Sequence, residues 1–238
     1  VKKIYAVETG MSADPPMLWR FKEDVNLVSF SDAHSYWPWR VGREATMFDV
    51  DMSYDSIIKA IRTGEGLKGT IETIPSYGKY HWDGHRNCGV VLNPVESKKV
   101  NGVCPKCNKE LTIGVDFRVE ELAKEEVGYK PGDAKEFYDL IPLHEVIAVV
   151  YDVKGLQSKS VWNVYNKLIS SFGNEFKILM EVSFEDLSKV VDVALARVII
   201  KLREGKLDVD PGYDGVYGRL RLDESERVVK QKGLLDYG

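Results

Sequence analysis

A chain of 238 residues with 44% apolar and 29% charged residues has room for one large domain or two small ones, and its composition is not that of a disordered protein. A net charge of −4 excludes a uniformly basic nucleic-acid coat but leaves room for local basic patches. No apolar run approaches the ~20 residues needed to cross a bilayer. Glu8 follows Val1-Lys2-Lys3-Ile4-Tyr5 too soon for a secretion signal, so a cytoplasmic protein without a membrane partner is expected.

The chain opens without Met, directly in the strand-like run Ile4-Tyr5-Ala6-Val7, which predicts a processed or truncated N-terminus. Lys and Glu are abundant and Gln is scarce, a balance associated with heat-adapted proteins. Residues 1–70 carry two strand-like runs, Ile4–Val7 and Asn26–Phe30. Each is followed by a turn with chemistry on it: Glu8-Thr9-Gly10 after the first, Ser31-Asp32-Ala33-His34 after the second. Ile57, Ile58 and Ile61 share a face over 56–62, which predicts a helix. Buried strands with polar chemistry at their C-terminal ends point to an α/β barrel or an open α/β sheet.

Residues 71–116 mix Gly, Pro and Lys with Cys and His, and read as a small metal-held module through which no helix runs. His85-x-x-Cys88 is followed, after fifteen intervening residues, by Cys104-x-x-Cys107. Two such pairs of soft ligands match a four-coordinate structural zinc ribbon or knuckle, because the short spacing lets one tight turn aim both side chains at one ion. His81 competes with His85 for the fourth place. With three cysteines, an odd number, metal is a better reading than disulfides. Arg86, Lys98, Lys99, Lys106 and Lys109 surround the module as candidate phosphate contacts or as an ordinary solvated face.

From about Phe117 to residue 222 the pattern is mainly helical. Pro142 suits the first turn of a helix ending near Val150, and Ser158–Phe172 reads as a second helix. A long third helix is predicted from Ser183 to Arg203, with Leu187, Val190, Val191, Ala194, Val198 and Leu202 on one stripe, Ser183 as cap and Gly205 as stop. Pro211-Gly212-Tyr213-Asp214-Gly215 is a turn before a short strand, Val216–Leu222, and residues 223–238 form a charged tail.

An Asp-x-His pair just past a strand end suits a divalent ion in a barrel mouth, although alone the pattern also arises on ordinary surfaces. Its setting adds to it. Ser31-Asp32-Ala33-His34-Ser35 with Gly42-Arg43-Glu44-Ala45 resembles the last metal-ligand segment of the PHP (polymerase and histidinol phosphatase) domain. Three further stretches narrow the resemblance to the endonuclease Q family: Glu8 to Arg20, His81 to Gly89, and Pro211 to Gly218.

That resemblance, which runs nearly the whole chain, implies an α/β fold. It would comprise the C-terminal part of a PHP-type distorted β/α barrel (1–70), a zinc-ribbon-like module (71–116) and a mainly helical C-terminal domain (117–222). It implies a metal-dependent DNA endonuclease that cuts 5′ to deaminated bases (hypoxanthine, uracil, xanthine) or abasic sites and leaves a 3′-hydroxyl. Asp32 and His34 then hold catalytic Mg, Mn or Zn ions, with Glu8 a lesser candidate at the rim. Arg20 and Arg43 hold phosphate, and Trp19 or Trp82 stacks on a flipped base, unless those tryptophans serve packing. The family's His-x-His pair has no counterpart among the four histidines, so an N-terminal PHP half, on another chain or removed, is expected to complete the site.

In the tail, Gln231, Leu234 and Tyr237 are spaced like the clamp-binding peptide of replication proteins, with a frayed terminus as the plain alternative. Two other functions stay open. One is a PHP phosphoesterase acting on small esters, for which a zinc ribbon and a helical tail are unneeded. The other is a non-catalytic DNA- or clamp-binding subunit.

Overall fold

The computed structural model describes residues 3–228. The described residues form two units: 3–140 with Val209–Arg219, and Ile141–Asp208 with 220–228. The fold is mixed α/β, with ten α-helices and nine short strands among the described residues. Among those residues no helix is long and apolar enough to cross a membrane.

The first unit opens with β1 (Ala6–Glu8), α1 (Pro15–Trp19) and β2 (Asn26–Val28), followed by α2 (Pro38–Val41), β3 (Ala45–Phe48), α3 (Tyr54–Thr63) and β4 (Leu67–Thr73). Local chemistry sets these ends. Asp14 accepts from the Met17 N–H at 2.8 Å and prolines fill the first turn of α1, where a missing N–H costs nothing. Ser53 caps α3, and Gly64 ends it in the left-handed region at φ 75°. β1 and β2 pair in parallel, Val7 opposite Leu27. β4 is the centre of a separate sheet, antiparallel to β3 and parallel to a strand that comes much later.

Buried polar bonds tie the two sheets together. Thr9, just past β1, donates to Glu72 Oε2 of β4 at 2.8 Å. Thr46 of β3 donates to the Ser29 carbonyl at 2.8 Å and accepts from the Ser29 N–H at 2.9 Å. The loop leaving β2 therefore starts from a fixed point.

Next come β5 (Asp83–His85), β6 (Val90–Leu92), α4 (Pro94–Lys99), α5 (Val115–Leu122) and β7 (Glu136–Leu140). β5 and β6 form a hairpin. α4 corrects the expectation that no helix runs through 71–116. Asn93 and Glu96 form a reciprocal capping box around Pro94, a local signal strong enough to start a short helix in a Gly-rich stretch. The expected helical region beginning at 117 also differs from what forms. After α5 the chain turns and then enters β7, which pairs with β4 from Gly69↔Glu136 to Thr73↔Leu140 and so lies in the first unit.

The second unit is helical: α6 (Leu143–Val150), α7 (Lys159–Phe172), α8 (Glu175–Met180), α9 (Phe184–Val190) and α10 (Val193–Arg203). Ser158, Asn174 and Ser183 cap α7, α8 and α9 through side-chain oxygens, each such cap being worth ~1 kcal/mol. Leu143, Val146, Ile147, Leu168, Ile178, Leu187, Leu195, Ile199 and Leu202 fill the core. Arg203 spends its guanidinium on the carbonyls of Ile178, Leu179 and Val182, satisfying the open end of α8.

The single helix expected over 183–203 is two. Val191 and Asp192 are extended, with ψ 174° and 144°, and the Tyr151 hydroxyl donates to the Asp192 carboxylate at the break. The apolar stripe had run on unbroken through a point where a tertiary contact stops the helix. Two further strands, β8 (Asp208–Asp210) and β9 (Arg219–Arg221), lie where the chain passes between the units.

Candidate metal centres

The β5–β6 hairpin carries a turn, Arg86–Cys88, closed by Gly89 in the left-handed region. The loop after α4 carries a second turn, in which the Asn108 N–H donates to the Cys104 carbonyl at 2.9 Å and the Cys104 N–H to the Lys109 carbonyl at 2.8 Å. Together the turns gather His85, Cys88, Cys104 and Cys107, whose ligand atoms all lie within 4.8 Å of one another. Cys107 Sγ and His85 Nδ1 are 3.3 Å apart. Tetrahedral zinc with Zn–S bonds near 2.3 Å needs sulfur atoms roughly 3.8 Å apart, so three thiols and an imidazole at this separation fit such an ion. His85, not His81, stands with the cysteines. The His81 ring lies against Trp82 at 6.5 Å, and its Nδ1 is buried.

The electrostatics suit a thiolate site. Burial opposes ionisation of Cys104, yet the backbone N–H groups of Lys106 and Cys107 outweigh it and bring the thiol down to about 6. A hydrogen bond with Cys107 and burial push Cys88 up to about 11, as expected of thiols crowded together without a cation. Lys106 donates to the Cys88 carbonyl at 2.7 Å. The module rests on its own small core of Val90, Cys104 and Leu111.

A segment distant in sequence clasps this module. Asp214 accepts from the Arg86 N–H and from the Thr112 hydroxyl, each at 2.7 Å. The Trp82 backbone N–H donates to the Gly212 carbonyl at 3.0 Å, and Gly84 faces the Tyr213 ring so closely that a Cβ there would stand 2.3 Å from it. Two of the stretches that carried the resemblance, 81–89 and 211–218, are thus one packed structure. Asp214 was missed as a structural residue because only the fold brings it to Arg86.

Asp32 and His34 share an exposed corner at the C-terminal end of β2. Their side chains are 82% and 83% exposed, and His34 Nδ1 is 3.9 Å from Asp32 Oδ2. Asp32 adopts φ 44°, a left-handed conformation that a short polar residue tolerates. His34 Nδ1 lies 2.7 Å from the Asp32 carbonyl. With the proton on Nδ1 in that bond, Nε2 keeps its lone pair, the tautomer that metal ligation uses. Arg43 Nε donates to the Ser31 carbonyl at 3.0 Å and steadies the corner from beneath. Among the described residues the pair gathers no third ligand close enough for one ion.

Other expected contacts are placed as follows. Arg20 is buried, and its guanidinium donates to Glu120 and to the Glu125 carbonyl. The Trp19 ring packs edge-on against Phe137 at 5.7 Å. The Arg86 side chain is exposed, and Glu8 is exposed at the end of β1. Gln231, Leu234 and Tyr237 lie outside the described residues. Unforeseen in the sequence is a tier of rings beside the corner. Tyr36 lies on Trp37 at 4.8 Å, and Trp37 is stacked on Trp39 at 5.0 Å and 8°.

Residues 142–206 match the family of the MJ0043 C-terminal domain. The chain is 35% identical over 227 residues to an uncharacterized protein, MJ0043, of Methanocaldococcus jannaschii, covering 92% of this chain and 28% of that protein. It is 30% identical over 225 residues to the uncharacterized protein YqxK of Bacillus subtilis, covering 92% and 53%. The chain thus spans about a quarter to a half of the curated relatives it matches. Among solved structures, the class it resembles is that of the lesion-specific DNA endonucleases. The resemblance is to endonuclease Q: the enzyme of Pyrococcus furiosus aligns with a TM-score of 0.84 at 33% identity, over 99% of this chain and 59% of that one. An endonuclease Q bound to a 27-mer duplex with an abasic lesion at its active site gives 0.82 at 32%, over 98% and 59%.

Proposed function

We propose that this chain is the lesion-facing part of a metal-dependent DNA endonuclease of the endonuclease Q kind. Its substrates would be duplexes carrying deaminated bases (hypoxanthine, uracil, xanthine) or abasic sites, cut on the 5′ side in DNA repair. The carrying observation is the Asp32–His34 corner, set past a parallel strand with His34 Nδ1 2.7 Å from the Asp32 carbonyl, in a chain that aligns with endonuclease Q over 99% of its length.

Asp32 and His34 would supply two ligands of the catalytic ions, and an N-terminal PHP half, on another chain or removed, would supply the others. Divalent ions held by Asp32 and His34 would supply the charge that activates water and polarises a phosphoryl oxygen. Arg43 holds the corner in place and presents its remaining guanidinium nitrogens to phosphate, and Arg86 offers a second cation from the zinc module. His85, Cys88, Cys104 and Cys107 would hold a structural zinc, four protein ligands being the set of a closed site. A reducing cytoplasm, where thiols persist, suits that site.

The test combines this chain with the polypeptide that completes the barrel, Mg²⁺ or Mn²⁺, and a duplex bearing one deoxyinosine. A single nick 5′ to the lesion is expected, weakened roughly 100-fold or more by Asp32→Asn or His34→Ala with melting unchanged. Undiminished nicking by both variants would remove the corner from the chemistry and end this reading.

A further inference from the structure

We infer that Tyr36, backed by Trp37 and Trp39, is a stacking platform for one unpaired nucleobase next to the cleaved phosphate. The three rings form a stair. Trp39 is buried at 4% exposure, Trp37 is half-buried and stacked on it at 5.0 Å, and Tyr36 lies on Trp37 at 4.8 Å while remaining 80% exposed. A tyrosine that exposed is ordinarily a mobile side chain. Here its inner face is held by an anchored indole, and its outer face is offered to solvent.

Three observations choose the occupant. Tyr36 is two residues past His34, so their Cα atoms are within about 7 Å of each other, the reach of one nucleotide from a phosphate held at the corner. Arg40 on α2 and Arg43 beside Ser31 give the same short segment two guanidinium groups, which suit a phosphate backbone. The tryptophans expected to stack touch other rings, Trp82 with His81 and Trp19 with Phe137, whereas the Tyr36 ring of this tier is exposed close to the corner. Every base has a π-face, so a ring platform accepts any of them. That tolerance is useful where the lesion itself varies or, at an abasic site, offers no base to grip.

The proposal rests on the nuclease reading for its place beside the phosphate, but its test does not need cleavage. The 238-residue chain is titrated with a duplex carrying an abasic analogue flanked by 2-aminopurine, following anisotropy for affinity and 2-aminopurine emission for stacking. Wild type and Tyr36→Phe should bind alike and quench the emission. Tyr36→Ala and Tyr36→Leu should lose the quench and bind roughly 5- to 100-fold more weakly, with melting unchanged because the side chain is exposed.

Three results would overturn it: no quench with wild type, full binding and quench by Tyr36→Ala, or wild-type behaviour of Tyr36→Leu, which would mark an apolar contact with a protein partner. Nicking of deoxyinosine that depends on Asp32 but not on Tyr36, with no quench, would sink the platform and spare the nuclease. A quench that depends on Tyr36 in a protein that never nicks would do the reverse.

Discussion

At the scale of single residues, the division of labour among the four histidines follows from what each ring touches. His85 stands among thiols, His34 hangs its Nδ1 on a carbonyl, His81 is packed on Trp82, and His144 is buried between Trp162 and Tyr165 at 4.5 and 3.9 Å. Burial alone takes His144 down to about 4, so it stays neutral at physiological pH. The cysteine site yields a sharp expectation. Zinc measured in the purified chain should stand at one equivalent through these ligands and fall towards zero in Cys104→Ser. That variant should also melt earlier, because binding free energy of a closed site is folding free energy. Unchanged zinc content in Cys104→Ser would place the metal elsewhere. The Cys-x-x-Cys spacing made this site legible, since both ligands of a pair sit on one turn. Arg20 was not legible, because nothing in its neighbours announces that Glu120, a hundred positions away, will take its charge.

At the scale of elements, what was written in the sequence is whatever closes within a few residues. Ser158, Ser183 and Pro142 mark helix starts that form within a residue of the expected place. The break between α9 and α10 and the pairing of β7 with β4 depend on partners far along the chain, and sequence pattern carried neither. The clasp of 211–218 on the zinc module is of the same non-local kind, and Gly212 is its tightest point. A Cβ there would stand 2.2 Å from the Gly78 carbonyl and 2.7 Å from both the Gly218 nitrogen and the Val216 carbonyl. All three are backbone atoms, which cannot swing aside as a side chain does. Gly212→Ala should therefore cost about 1–3 kcal/mol in urea unfolding, whereas Gly132→Ala, with nothing within 4 Å, should stay within about 0.5 kcal/mol. Equal midpoints for the two variants would show the clasp to be loose.

At the scale of the whole molecule, four carboxyl groups of the first unit share its interior: Asp14 on the cap of α1, Glu44 before β3, Glu72 in β4 and Asp139 in β7. Burial raises all four. Glu44 is pushed up to about 7 by burial and then by the charge of Glu72, which together outweigh Thr73 and Arg43 beside it. Asp139 is pushed up to about 8 by burial, then by Asp14 and Glu72. In the unfolded chain the same groups ionise near 4. Between those values the folded state binds more protons than the unfolded one, so stability falls as pH rises from about 4 to about 8 and levels off above. Paired carboxylates such as Glu120 with Arg20 act in the opposite sense, but only as pH drops below about 4, where their contribution is lost. Glu44 and Asp139 should therefore pull melting temperature down between about pH 5.5 and 8, against the opposite pull of His144 and Cys104, whose folded values lie below their unfolded ones. In Glu44→Gln and Asp139→Asn, which replace the titrating group with a neutral one of similar shape, the downward pull should weaken and stability at pH 8 should rise by on the order of a few kcal/mol or less. Comparing each variant with wild type at the same pH cancels the contribution of the thiol site. Parallel curves for wild type and both variants would mean that these carboxyls ionise at ordinary values in the folded protein, their burial relieved by a neighbouring positive charge.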